Sequence, residues 1–177
     1  MQRACLLLLA SATILQVAAQ QSLPPQIVRG KELFQKSPKG VACATCHVLE
    51  GVGTAIGPDV KQICSVVGSH GIVKTIEMQS TAYVQQVKTA SGESFPGIQK
   101  QKQGDELQIW DLSKNPPELR KFASKDVTSM NGEHKWKHPP ATAGYTSQET
   151  ADLIGYLKFV ATGSRKEIKI EDVEDAK

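Results

Sequence analysis

Cys43-Ala44-Thr45-Cys46-His47 sets the chemistry of this chain, because two thiols three residues apart are followed at once by an imidazole. The spacing is C-x-x-C-H, the attachment signature of haem c. On one turn of chain the two sulfurs reach the two vinyl groups on one porphyrin edge and join them as thioethers. His47 is then held beneath the iron, where Nε2 can serve as an axial ligand. Other uses of a C-x-x-C pair fit less well. A zinc site wants a second ligand pair at similar spacing, and none follows. A thioredoxin-like pair expects a βαβ setting, whereas here the flanks are rich in Gly and Pro. The motif therefore predicts one covalent haem c, held by Cys43 and Cys46, with His47 on the iron.

Working outward toward the N-terminus, Arg3 precedes a short apolar run that opens with Leu6 to Leu9, and small residues close the stretch at Val17-Ala18-Ala19. This is the layout of a cleavable secretory signal, expected over residues 1–19 with a mature start at Gln20. The run is short of the about 20 apolar residues that span a bilayer, and Gln16 interrupts it; an uncleaved anchor is the rival reading. A signal places the protein in the periplasm or outside the cell, with no membrane span after cleavage. The remainder suits one domain. A formal net charge of +3, with the basic residues scattered rather than massed, gives no footprint for nucleic acid. Hydrophobic content of 40% indicates a globular chain, but aromatics at 5% leave a modest core that a large planar cofactor would help to fill. Beyond the signal lie Cys43, Cys46 and Cys64, an odd set that argues against a simple disulfide framework.

The flanks carry a wider pattern. Gly30-Lys31-Glu32-Leu33-Phe34 precedes the motif, Gly57-Pro58-Asp59-Val60 follows it, and Glu149, Asp152, Leu153, Tyr156 and Leu157 form E-x-x-D-L-x-x-Y-L near the end. Thr146 with Glu149 is a capping box that starts a helix. Leu153, Tyr156, Leu157 and Val160 share one face of it, and Gly163 is a plausible stop. In this order the set resembles class I cytochrome c. The resemblance implies that the first and last helices cross, with Gly30 letting Tyr156 approach. It also implies that the Pro58 carbonyl accepts the Nδ1–H of His47 and fixes its tautomer.

Between Pro58 and the last helix the chain is longer than a simple cytochrome needs. Residues 83–128 alternate and break as four short strands at even spacing, with turns at Ser91-Gly92-Glu93-Ser94 and Gly104-Asp105 and a break at Asn115-Pro116-Pro117. The pattern resembles a haem-binding c-type domain widespread in planctomycetes, verrucomicrobia and acidobacteria, in which a β-rich segment interrupts the cytochrome. The expected fold is mainly α: a class I cytochrome c domain over 20–163, a small antiparallel β insertion at 83–128 before the last helix, and a charged tail over 164–177, solvated and mobile. The insertion is expected to be dispensable for haem binding.

In class I cytochromes a methionine, commonly followed by proline, supplies the sixth iron ligand about eight residues before the last helix's cap. Eight residues before Thr146 stands His138, followed by Pro139-Pro140, so bis-histidine ligation is expected. Met130, His134 or an open site are the alternatives. Met78 is read as core and His70 as a loop histidine. Cys64 reads as a buried small hydrophobe, with a reactive thiol or an intermolecular disulfide as the other possibility. Trp110 reads as β-core and Trp136 as a residue packing on the macrocycle.

A six-coordinate haem has no place for substrate, and the chain carries no second cofactor motif. The expected role is therefore an electron carrier serving redox partner proteins, not an enzyme; the alternative is a haem enzyme or small-gas sensor with an open distal site. Covalent attachment is checked by acid–acetone extraction followed by a haem stain on a denaturing gel. The stain should stay with the polypeptide in wild type, and Cys43→Ala or Cys46→Ala should weaken or abolish it.

Overall fold

A computed structural model of the chain describes residues 22–79, 81–132 and 135–174. The expected signal at 1–19, His134 and the last three residues lie outside them. Helix α1 (Pro25–Gln35) begins with Pro at its first position, where the missing N–H is no loss and φ is already helical. A single 3₁₀ turn (Cys43–Thr45) carries the motif. Asp59 caps α2 (Val60–Val66) by accepting the Lys61 N–H at 2.8 Å, and α3 (Ser69–Glu77) follows at once. The last long helix, α4 (Ser147–Thr162), starts at the capping box. The Thr146 hydroxyl takes the Glu149 N–H at 3.1 Å while the Glu149 carboxylate takes the Thr146 N–H at 2.7 Å. It ends at Gly163 in the left-handed region (φ 74°), as the glycine stop predicts.

Helices α1 and α4 cross at Gly30. A Cβ there would lie 2.7 Å from both the carbonyl carbon of Asp152 and the Cβ of Tyr156, so only glycine allows the approach. Phe34 packs edge-on to Tyr156 with ring centres 5.9 Å apart. Arg29 closes the crossing with a two-pronged ion pair to Asp152, at 2.6 and 2.9 Å. The Asp152 side chain is only 3% exposed, so Arg29 and Gln148 supply hydrogen bonds that a buried carboxylate requires. Around this crossing Ile27, Ile72, Val73, Leu153 and Ile154 form the helical core. Each large apolar side chain buried there contributes about 1.5–3 kcal/mol.

Between α3 and α4 the chain builds a five-stranded antiparallel sheet: β1 (Gln85–Thr89), β2 (Ser94–Gln103), β3 (Glu106–Asp111), β4 (Glu118–Ala123) and β5 (Val127–Gly132), in the order β4-β3-β2-β1-β5. This corrects the expectation of a mainly α fold, since 35% of the described residues are helical and 23% are strand. The strands are also five rather than four. Val127–Gly132 carries polar residues at Thr128, Ser129 and Asn131 and shows little alternation. It becomes a strand because β1 offers it a hydrogen-bonding edge, with Met130 opposite Val87. The sheet has an apolar cluster of its own, Val87, Phe95, Leu107 and Ile109.

The C-terminal stretch differs from a wholly solvated tail at two residues. Ile168 and Val173 are buried in the helical core. The Gln26 side-chain amide pairs with both backbone groups of Ile168, each at 2.9 Å, in the manner of a neighbouring strand. Among the described residues no helix is long and apolar enough to cross a membrane.

Gly30→Ala tests the crossing. The added methyl meets backbone, which cannot swing away, so thermal or denaturant unfolding should show a loss of about 1–3 kcal/mol.

Candidate functional site

The 3₁₀ turn that carries the motif is closed by the Cys46 and His47 N–H groups, which donate to the Cys43 carbonyl at 3.1 and 2.9 Å. The loop over 51–58 then straps around it. Thr54 N–H donates to the Ala44 carbonyl at 3.0 Å, and the Ile56 and Gly57 N–H groups share the Cys46 carbonyl at 3.0 and 2.8 Å. At Gly53 (φ 110°) a Cβ would lie 2.8 Å from the Ala44 carbonyl oxygen; at Gly57 it would strike the His47 ring, 2.9 Å from Nδ1 and 3.0 Å from Nε2. Two glycines thus let the strap lie directly on the motif.

Beside the turn lies a cavity of about 480 Å³. Cys43, Cys46 and His47 line it, as do Phe34 from α1, Ile72 from α3 and Leu153 from α4. Its far wall comes from the sheet and from the segment before α4, through Ile98, Leu112, Trp136 and His138. The insertion therefore contributes to the cavity wall through Ile98 and Leu112.

The two imidazoles stand across this space with ring centres 6.1 Å apart and planes tilted by 41°. Two imidazoles on opposite sides of one metal, each bond about 2 Å and each ring centre roughly 1 Å behind its nitrogen, have centres about 6 Å apart. The spacing fits one iron between His47 and His138. Their tautomers fit as well. His47 Nδ1 lies 2.9 Å from the Pro58 carbonyl, as the class I resemblance implies, and His138 Nδ1 lies 2.7 Å from the Pro139 carbonyl. Each Nδ1–H donates to a carbonyl, so each Nε2 keeps its lone pair for a metal.

Electrostatics favour the uncharged forms. Burial depresses the pKa of His47 and the nearby His138 adds to this, against an opposing effect of the Pro58 hydrogen bond. Burial pushes the Cys43 thiol up to about 11 and raises Cys46 as well, so both are neutral S–H groups before attachment. Cys64 is also a cavity-wall thiol, 3% exposed and raised to about 11 by burial, in keeping with a small buried hydrophobe.

The segment bearing His138 is tied down at two points. His138 N–H donates to the Gln79 carbonyl at 2.7 Å, and the Thr142 hydroxyl donates to the Glu77 carboxylate. Trp136 meets the His138 ring edge-on, with centres 6.2 Å apart. Met130, the alternative ligand, packs instead against the sheet's apolar cluster and does not line the cavity. His134 lies outside the described residues. Trp110 stands opposite Ile98 and Leu119 in the sheet but is only half-buried, with the Lys100 ammonium 5.8 Å from its ring centre, and it lies outside the sheet's apolar cluster. Sequence reasoning missed Lys158, whose ammonium donates to the Cys64 and Val67 carbonyls at 3.1 Å each and so closes the end of α2. Nothing local in sequence marks that contact, which spans more than ninety positions.

Residues 27–114 match the family model described as cytochrome c. The matched region runs from α1 to the loop after β3 and contains the motif and Pro58, but not His138 or α4. No curated protein matches the chain. The chain carries a cytochrome c domain, and its cofactor is haem c, one group bound covalently.

Gly57→Ala should push the His47 ring off its Pro58 hydrogen bond. The expected outcome is a holoprotein that keeps its covalent haem stain but shows a growing high-spin component in its ferric optical spectrum.

Proposed function

We propose that this protein is a mono-haem electron carrier that works outside the cytoplasm and uses His47 and His138 as its two axial ligands. The observation that carries the reading is the 6.1 Å spacing of the two imidazoles across the cavity. Haem c, when bound, supplies an iron that takes up and gives away a single electron.

The chain's own residues prepare for that exchange. The Pro58 and Pro139 carbonyls hold the two Nδ1–H groups, which orients the rings and makes each Nε2 a better donor. Leu153, Leu157 and Ile72 exclude water from around the macrocycle. With both axial places taken by this chain there is no room for a substrate, so a carrier serving redox proteins is favoured over an enzyme. Nitrogen in place of the methionine of class I relatives favours the ferric state and lowers the potential, by about 0.1–0.2 V within the roughly 0.8 V that axial ligands span. The leader-like residues 1–19 support export to the periplasm or beyond. The position of the sheet between Pro58 and α4 supports a place among the planctomycete, verrucomicrobial and acidobacterial c-type domains.

The competing function, a haem enzyme or small-gas sensor, needs an iron open on the His138 side. Spectra of the ferrous protein separate the two. Wild type should be low spin, lack the weak near-infrared band of sulfur ligation and leave its spectrum unchanged under carbon monoxide. His138→Ala should bind carbon monoxide, and His138→Met should raise the potential and bring in the sulfur band. A wild-type sulfur band lost in Met130→Ala would make Met130 the ligand instead, and carbon monoxide binding by wild type would favour the enzyme or sensor.

A further inference from the structure

The polar side chains that line the cavity are few, and several are already committed. The Thr75 hydroxyl donates to the Gly71 carbonyl at 2.7 Å, and the Ser113 hydroxyl donates to Asp111 at 2.6 Å. Both histidines have Nδ1 occupied by a proline carbonyl. Two lining residues stand apart from these. The Thr81 hydroxyl oxygen is shut off from solvent and has no hydrogen-bond partner among the described residues. Lys114, in the loop between β3 and β4, is the one lysine or arginine on the cavity wall among the described residues, and none of the described carboxylates lines that wall. Glu93, which feels the Lys114 charge, is hydrogen-bonded to Arg120 at 2.6 and 2.7 Å, and Asp111 to the same guanidinium at 3.0 Å.

A buried hydroxyl without an acceptor and a cation at the mouth of an apolar cavity both call for an anionic acceptor. Haem c brings two, the propionate carboxylates on the edge away from its thioether carbons. We propose that Thr81 and Lys114 form the seat of a haem propionate, the Thr81 hydroxyl donating to one carboxylate oxygen and the Lys114 ammonium pairing its charge. The proposal rests on haem c filling this cavity. It also assigns the sheet a task, since the β3–β4 loop delivers the cation to a cavity walled mostly by apolar groups.

A carboxylate that is hydrogen-bonded and paired in this way stays ionised across the neutral range. The iron then meets a constant charge, and its reduction potential does not vary with pH there. Tyr83 on this wall, and Glu93 and Asp111, the two partners of Arg120, stay out of that range. Burial raises Tyr83; the Arg120 hydrogen bonds hold Glu93 low; Asp111, which burial alone would raise, is held low on balance by Ser113 and Arg120.

The test is the reduction potential of the holoprotein measured against pH, with the covalent haem stain and a low-spin spectrum checked in every variant. Wild type should give a level line across the neutral range. Lys114→Met and Thr81→Val should each introduce a downward slope with rising pH, as the freed propionate begins to titrate with the iron. Lys114→Arg and Thr81→Ser should restore the level line. Lys102→Met, which removes the same charge from an exposed site on β2, should leave it level. A slope already present in wild type, level lines in both Lys114→Met and Thr81→Val, or an equal slope in Lys102→Met would overturn the propionate seat. Absence of covalent haem from wild type would overturn the cytochrome reading beneath it, a separate and visible outcome.

Discussion

Helices α1 and α4 approach at Gly30 so closely that no side chain fits between them, and much of the helical half hangs from that contact. The crossing turns Leu153 and Leu157 of α4 toward the cavity. It also sets Tyr156 where its hydroxyl donates to Glu50 at 3.0 Å, just past the motif, while Lys31 of α1 pairs with the same carboxylate at 3.0 Å. Two residues further along α4, Lys158 closes the end of α2. The buried Asp152 makes the crossing specific as well as tight. Removing Arg29 would strand a carboxylate in a place 3% exposed, a penalty far larger than the worth of an exposed ion pair.

At the site, the same physical device is used twice. A proline carbonyl holds Nδ1–H of an imidazole and leaves Nε2 as the lone-pair donor. Proline suits the task because its carbonyl needs no strand or helix partner where the ring has already broken the ladder. Burial keeps His47 neutral, so the ring meets a metal without first giving up a proton. The two rings differ in how they are held. His47 sits on a turn strapped by its own neighbours, whereas His138 lies on a segment tied to the end of α3 and braced by Trp136.

The sheet is both autonomous and involved. Val87, Phe95, Leu107 and Ile109 bury one another, and the Arg120 guanidinium lies 4.7 Å from the Phe95 ring centre and 4.9 Å from that of Phe122. That second core explains how a long segment enters a cytochrome domain without disturbing the α1–α4 crossing. Ile98 and Leu112 nevertheless face the cavity, so it is walled by helices on one side and by strands on the other.

Much of this was legible in the sequence where the signal is local. The C-x-x-C-H spacing, the Thr146–Glu149 box, the Gly163 stop and the alternation of the first strands each depend on neighbours within a turn or a hairpin. Position relative to α4 pointed to His138, which lies on the cavity wall across from His47. Tertiary structure decided the rest. β5 exists because β1 has an open edge, and its own residues barely alternate. Met130 and His138 are both chemically able to bind iron, and only the packing of β5 against Val87 sends the methionine into the sheet's core. Ile168 and Val173, in a stretch whose charges suggest solvent, are drawn inward by Gln26, far away in sequence. Capping, spacing and turns are written in adjacent residues, whereas edges, cavities and buried partners arise only when distant segments meet, and no short stretch of this chain encodes them by itself.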